Sequence, residues 1–207
     1  MLLAKFRVIA APCAIAVALL ASVNIGCGRA HNPQGMRLMW AGETTPPPVS
    51  PMVAAGFAQR RLRLAPTVES RPDGYQIGII AKSNVIVRGS QPVAPFVQGV
   101  LFDRLTRAGA QLLAGDEELV LASEVLELNV TEGERFEARV SLRLSLFFGQ
   151  QLVWTHIYLG TGSQWGRDHD PDVFNEAISE ALDKIIYDFC QDDAFGAALF
   201  GEAAPLP

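Results

Sequence analysis

From Phe136 to Phe148 apolar and polar residues alternate without a break. Phe136, Ala138, Val140, Leu142, Leu144, Leu146 and Phe148 fall on one side, and Glu137, Arg139, Ser141, Arg143 and Ser145 on the other. A period of two is the signature of a strand with one buried and one wet face. Leu119 to Thr131 reads as the strand before it, with Val120, Ala122, Leu126, Leu128 and Val130 assigned to one side and Glu132-Gly133-Glu134 as the turn. Gly149-Gln150 closes a tight hairpin into a third strand, Leu152 to Thr161. Upstream, Arg61-Leu62-Arg63-Leu64 and Thr67-Val68-Glu69 predict a first strand, Arg71-Pro72-Asp73-Gly74 a turn, and Tyr75 to Ala81 a short apolar strand.

Two segments carry helical periodicity. After Ser90-Gln91-Pro92, the residues Val97, Val100, Leu101, Leu105, Ala108 and Leu112 lie near one face, and Gly109 marks a left-handed end near Ala108. Asp170 suits an N-cap and Pro171 the first helical position, followed by the stripe Phe174, Ala177, Ile178, Ala181, Leu182, Ile185 and Phe189. The order strand(s)-helix-strand-strand-strand-helix predicts an α+β two-layer sandwich. Its sheet is expected to be mostly antiparallel, of about four strands, with both helices on one face.

The chain start follows another logic. Lys5 and Arg7 precede an uncharged apolar run from Val8 to Val23, and the small residues Gly26, Cys27 and Gly28 follow. That is the layout of an export signal. The run falls short of the roughly twenty residues of a bilayer span, and Pro12 interrupts it. Asn24-Ile25-Gly26-Cys27 resembles a bacterial lipobox, in which the Cys27 thiol is diacylated and becomes the new N-terminus. The competing reading is an ordinary signal peptide cut after Ala30. Four segments follow: a signal peptide over 1–26, a proline-rich tether over 27–60 starting at lipidated Cys27, an α+β domain over 61–192 and a tail over 193–207. With Thr45-Pro46-Pro47-Pro48 and Ser50-Pro51, the tether is expected to be extended, reaching roughly 90 Å.

Composition narrows the classes. An apolar fraction of 49% and a charged fraction of 19% describe a globular chain. Loss of the signal removes Lys5 and Arg7 and takes the net charge from −5 to −7. The sole basic cluster, Arg60, Arg61 and Arg63, is too short for a phosphate-binding groove, so no nucleic-acid partner is expected. Of three cysteines, Cys13 leaves with the signal and Cys27 is acylated, so Cys190 is left without a disulfide partner; without lipidation a Cys27–Cys190 bridge is open.

Thr67-Val68-Glu69-Ser70-Arg71-Pro72 followed by Ile77-Gly78 resembles the D-x-R-P … I-G region of YajG-like bacterial lipoproteins, with Glu69 in place of the usual Asp. The resemblance runs through the helix ending at Gly109, the strand Phe136 to Phe148, Gly160-x-Gly162 and the helix Phe174 to Phe189. The element order is also similar to LptE-like and transport-auxiliary envelope lipoproteins. It implies a lipid-anchored protein of the outer membrane facing the periplasm, with inner-membrane anchoring or a soluble periplasmic form as alternatives. Its role would be binding or assembly, and the family offers no catalytic residues to carry over.

The chemistry-bearing residues agree with a non-enzyme. Asp168, Asp170 and Asp172 alternate like calcium ligands, but the glycine and the distal glutamate of such a loop are missing, so no metal is expected. Gly160-Thr161-Gly162-Ser163-Gln164-Trp165-Gly166 lacks the lysine of a phosphate loop, and no cofactor is expected. His31, His156 and His169 are scattered. The binding candidates are Phe147, on the otherwise polar face of its strand, with Trp154 and Tyr158 adding aromatic area there if the Leu152/Trp154/Tyr158 side of the last strand faces outward. The alternative is that Phe195 to Phe200 folds over them. An uncovered sheet edge is a further candidate. The expected function is a tethered protein-binding or assembly module of the envelope, with an unidentified envelope protein as partner. The rivals are a peptidoglycan- or small-ligand-binding module and a hydrolase using Asp168, His169 or Ser163.

Overall fold

The computed structural model describes residues 34–115, 117–166 and 170–201. In chain order these form β1 (Gln34–Met36), α1 (Pro51–Gln59), β2 (Arg61–Leu64), β3 (Val68–Glu69), β4 (Gln76–Ile80), β5 (Val85–Gly89), α2 (Val93–Arg107), β6 (Gln111–Leu112), β7 (Leu119–Glu132), β8 (Phe136–Phe148), β9 (Gln151–Gln164), α3 (Pro171–Cys190) and α4 (Asp193–Ala198). Residues 1–26, read above as a signal peptide, and Cys27, His31, Asp168 and His169 lie outside the described residues.

The strands make one nine-stranded mixed sheet, which corrects the expected four-stranded antiparallel sandwich with two helices. β7, β8 and β9 form the anticipated antiparallel meander. The other edge of β7 is shared in succession by β2, β3 and β4, all parallel to it: Leu62 pairs with Leu119, Val68 with Glu124 and Gly78 with Val130. The chain cannot run there as one strand because Pro66 and the Arg71–Gly74 turn interrupt the ladder. β5 folds back on β4, β1 adds to β5 in parallel, and β6 joins β2. α2 supplies the crossover that a parallel β4-to-β7 connection needs. It ends at Ala108, with Gly109 at φ +95° as its left-handed stop.

β8 keeps its predicted phase, with Phe136, Ala138, Val140, Leu142, Leu144 and Leu146 buried. β7 does not. Its register slips between Val125 and Glu127, so Leu121 and Val125 are buried before the slip and Leu128 and Val130 after it. Val120, Ala122 and Leu126, expected to share a face with Leu128, therefore lie on the other. One extra residue in a bulge reverses a two-residue period.

The stretch read as tether is folded from Gln34 onward, and the tail is folded as far as Gly201. Residues 37–45 form a strap along α3. Met39 N–H donates to Asn175 Oδ1 (3.0 Å), Ala41 N–H to Ser179 Oγ (2.9 Å) and Glu43 N–H to Asp183 Oδ2 (3.0 Å). Two residues of extended chain advance about 6.6 Å and four of helix about 6.0 Å, so the periods match. The partners satisfy Asn175 and Ser179, which are otherwise buried polar groups on an apolar helix. Arg104 locks the far end: it is buried, donates to the carbonyls of Glu43 and Thr45 (2.6 Å each), and pairs with Asp183 at 3.1 Å. Ser50 caps α1, donates through Oγ to Asp193 (2.8 Å) and through N–H to the Cys190 carbonyl (2.9 Å). Phe57 of α1 meets Phe195 of α4 edge-on at 6.1 Å. Prolines block ladders, but they do not stop Met36, Leu38, Val53 and Phe57 from joining the core.

Candidate functional site

β9 carries most of the residues singled out from the sequence, and a bulge decides where they point. Leu146 pairs with Trp154 and Phe147 with Leu152, leaving Val153 as the extra residue. Leu152 therefore shares the open face with Phe147, which also pairs with Val120, and Phe147 is half-buried there. Trp154 and Tyr158 are thrown to the helix side, where only 4% and 6% of their surface is exposed. Phe195 of α4 lies 5.1 Å from Trp154, and Phe189 of α3 lies 5.9 Å from Tyr158. The Tyr158 hydroxyl donates to Asp192 Oδ2 at 2.5 Å, and burial, reinforced by this bond, raises its pKa. As exposed binding aromatics, Trp154 and Tyr158 are thus corrected: the chain after α3 folds back and seals them into the core.

The glycine run on β9 serves packing. A Cβ on Gly160 would stand 1.9 Å from the Ala181 carbonyl oxygen, and one on Gly162 2.2 Å from that of Ala177. α3 thus rests its backbone directly on β9, and only glycine permits this approach. Ser163 offers its N–H to Glu180 Oε2 at 2.8 Å. Asp170 caps α3 by accepting from Asp172 N–H (3.1 Å). Cys190 is fully buried, and desolvation pushes its thiol up to about 12, far from the thiolate chemistry of a nucleophile. Among the described residues no group of three or more acidic, histidine or cysteine side chains is arranged to hold a metal ion, and no helix is long and apolar enough to cross a membrane.

The two residues of the Glu69–Arg71 pair, in the motif that carries the lipoprotein resemblance, have a structural task. Arg71 grips both carboxylate oxygens of Glu69 (2.7 Å each) and donates to the carbonyls of Gln76 and Leu128 (2.8 and 2.9 Å). It holds the β3–β4 turn against β7 just past its bulge. Such a fork geometry is a capacity of arginine that lysine lacks.

What remains available is an edge. β9 pairs with β8 alone, and its fourteen residues contain no lysine, arginine, acid or proline. Since Ser163 N–H turns to Glu180 and not to β8, residues in the same phase (Thr161, Leu159, Ile157, Thr155) aim their backbone groups outward. Ile157 and Leu159 are 50% and 47% exposed on the open face, opposite Arg143 and Ser141 of β8. Natural sheets protect long edges with charge, proline or a covering element, and this one has none of the first two. The absence of charge over 151–164 was readable in the sequence; that β9 is an edge was not.

Fold and surface together define a mixed α/β domain with one helix-covered face, one open face and one unprotected edge. The fold is shared with protein XCC0632 of Xanthomonas campestris, described with the family model DUF330, at TM-score 0.59 and 16% identity over 78% of this chain and 95% of that one. Two looser likenesses are protein CT253 of Chlamydia trachomatis (TM-score 0.48, 11% identity, 69% and 98% covered) and a minor lipoprotein of Acinetobacter baumannii (TM-score 0.41, 11% identity, 68% and 95% covered). No protein-family model matches the chain, and no curated protein matches it.

Proposed function

We propose that this chain is an exported cell-envelope lipoprotein of YajG-like type, anchored through Cys27. It acts without catalysis, by accepting an extended strand of a partner envelope protein on the free edge of β9. The observation that carries the reading is the uncharged fourteen-residue edge strand with Ile157 and Leu159 exposed beside outward-directed backbone groups. Backbone pairing supplies affinity in strand addition, and alternate side chains supply choice of partner. The acyl chains concentrate the domain near that partner, and two chains suffice for stable anchoring.

The test is site-specific photocrosslinking from position 157 of the full-length protein in intact envelopes. A single discrete adduct with an envelope protein is expected. Leu159→Pro should abolish the adduct with the melting profile little changed, because proline removes an outward N–H and leaves the β8 ladder intact. Adducts only between copies of this chain, or an adduct that survives Leu159→Pro, would remove the reading.

A second reading has one specific support. Leu38, Met39 and Trp40 of the strap and Pro95, Phe96 and Gly99 of α2 line a groove of about 310 Å³ with Arg104 at its base. An aromatic groove of this kind suits a glycan or small ligand. Binding of purified peptidoglycan that is lost in Trp40→Ala would favour it.

A further inference from the structure

We infer that the strand accepted by β9 is amphipathic in a defined sense: a row of basic side chains faces the flank of α3, and the alternate, apolar row faces Ile157 and Leu159. The inference rests on the strand-addition reading and adds to it the chemistry of the partner.

The free edge is roofed on one side. A Cβ on Gly162 would meet the Ala177 carbonyl, and one on Gly160 that of Ala181, so α3 runs antiparallel to β9 and directly above it. Four residues of helix advance about 6.0 Å and two of strand about 6.6 Å, so the two elements keep step. Glu180 reaches over the edge: its Oε2 accepts from Ser163 N–H (2.8 Å) and from Gln164 Nε2 (3.0 Å). Positions four apart stack along one side of a helix, so Lys184 and Asp188 continue the row that Glu180 begins. The strap holds the other flank, through Asn175, Ser179 and Asp183.

This row sets the length of the seat. Glu180 occupies the outward N–H of Ser163, so a ladder added to β9 ends at Thr161. At the other end the bulge at Val153 re-aims the backbone. Thr155 to Thr161 remains, about 20 Å of strand. A strand laid there turns alternate side chains to opposite faces. On the open face it meets Ile157 and Leu159, for which apolar partners are the favourable cross-strand neighbours. On the other face it passes His156 and the two glycines and lies under Glu180, Lys184 and Asp188.

The spacing of these charges matches the partner, and their sum sets its sign. Lys184 is engaged within the row, donating to both carboxylate oxygens of Asp188, at 2.6 Å to Oδ2. Two carboxylates against one ammonium leave the row negative, and Glu176, one turn before Glu180, is exposed as well. Among the described residues no cation pairs with Glu176 or Glu180. Lysine or arginine on the partner answers this row, and glutamate or aspartate is repelled. Exposed ion pairs each hold little energy, so the row selects among strands while backbone bonds and the apolar row supply the grip.

Short fluorescein-labelled peptides that alternate valine with lysine, with glutamate or with serine test this, titrated with the full-length protein in detergent micelles and followed by anisotropy. The lysine peptide should bind about tenfold tighter than the glutamate peptide, with serine between them, and the gap should narrow as salt is raised. Glu180→Gln combined with Asp188→Asn should abolish the preference for lysine while the serine peptide still binds; the glutamine keeps an acceptor for Ser163 N–H. Leu159→Pro should abolish binding of all three. Equal affinity for the lysine and glutamate peptides, or a lysine preference that survives the double substitution, would overturn the inference and leave the edge reading standing. No binding of any peptide, or binding untouched by Leu159→Pro, would remove the edge reading and the inference with it.

Discussion

Replacing Gly160 by alanine probes the tightest glycine contact among the described residues. The added Cβ would sit 1.9 Å from the Ala181 carbonyl oxygen and 2.8 Å from its carbon. Carbon and oxygen on adjacent elements tolerate about 3.3 Å, so α3 must retreat roughly 1.4 Å at that point. The obstacle is helix backbone rather than a side chain that can rotate. α3 carries Phe174, Ile178, Leu182, Ile185 and Phe189 into the core, and lifting it loosens all of them. Overpacking of this sort costs about 1–3 kcal/mol, here at the upper end. Opposing it, alanine in a strand gains about 0.5–1 kcal/mol over glycine. The net loss is about 2 kcal/mol, a fall in melting temperature of roughly 4–8 °C for a chain of this size. Gly162→Ala, at 2.2 Å from the Ala177 oxygen, should lose a similar amount. Gly99→Ala is the control. It lies in α2 with open space around it, and should be neutral or gain up to about 1 kcal/mol. Urea and thermal unfolding followed by circular dichroism read all three. A Gly160→Ala variant as stable as the parent would refute the assignment of these glycines to packing.

Two further outcomes follow from the sealed side of β9. Phe195→Ala should cost about 3–5 kcal/mol, because the ring lies 4.3 Å from Phe189 and 5.1 Å from Trp154; denaturant midpoints and a rise in acrylamide quenching of Trp154 measure it. Cys190 should resist thiol reagents in the native protein and react only on unfolding. Its thiol is raised from 9.0 to about 12, so the folded chain keeps a proton that the unfolded chain releases. Its contribution to stability is whole below pH 9 and is lost as pH rises toward 12. A parent and a Cys190→Ala variant with the same stability loss above pH 9 would contradict this.

The sequence was legible where one period governs a whole element. The alternation from Phe136 to Phe148 and the stripe of α3 survive into the structure because each faces a single partner surface along its length. Legibility failed where a single inserted residue changes phase. Leu126 and Val153 leave no mark in composition, yet they decide which side of β7 and β9 is buried, and so hide Trp154 and Tyr158. It failed again for residues 34–60. Prolines 46 to 48 do keep that stretch out of helix and sheet, but Pro51 opens α1, and Met39, Ala41 and Glu43 satisfy their backbones on the side chains of Asn175, Ser179 and Asp183. A strap needs a helix to lean on, and that helix is more than a hundred residues away.

By itself the sequence determined a β-meander and a closing helix, since these depend on local period and residue type, and it carries the layout on which the export and Cys27 acylation proposals rest. The tertiary structure alone decided that β9 is an edge, that Gly160 and Gly162 carry a helix on their backbone, and that Trp154 and Tyr158 are sealed beneath α3 and α4. Those properties belong to pairs of segments distant in sequence, and no local pattern encodes which surfaces the fold brings together.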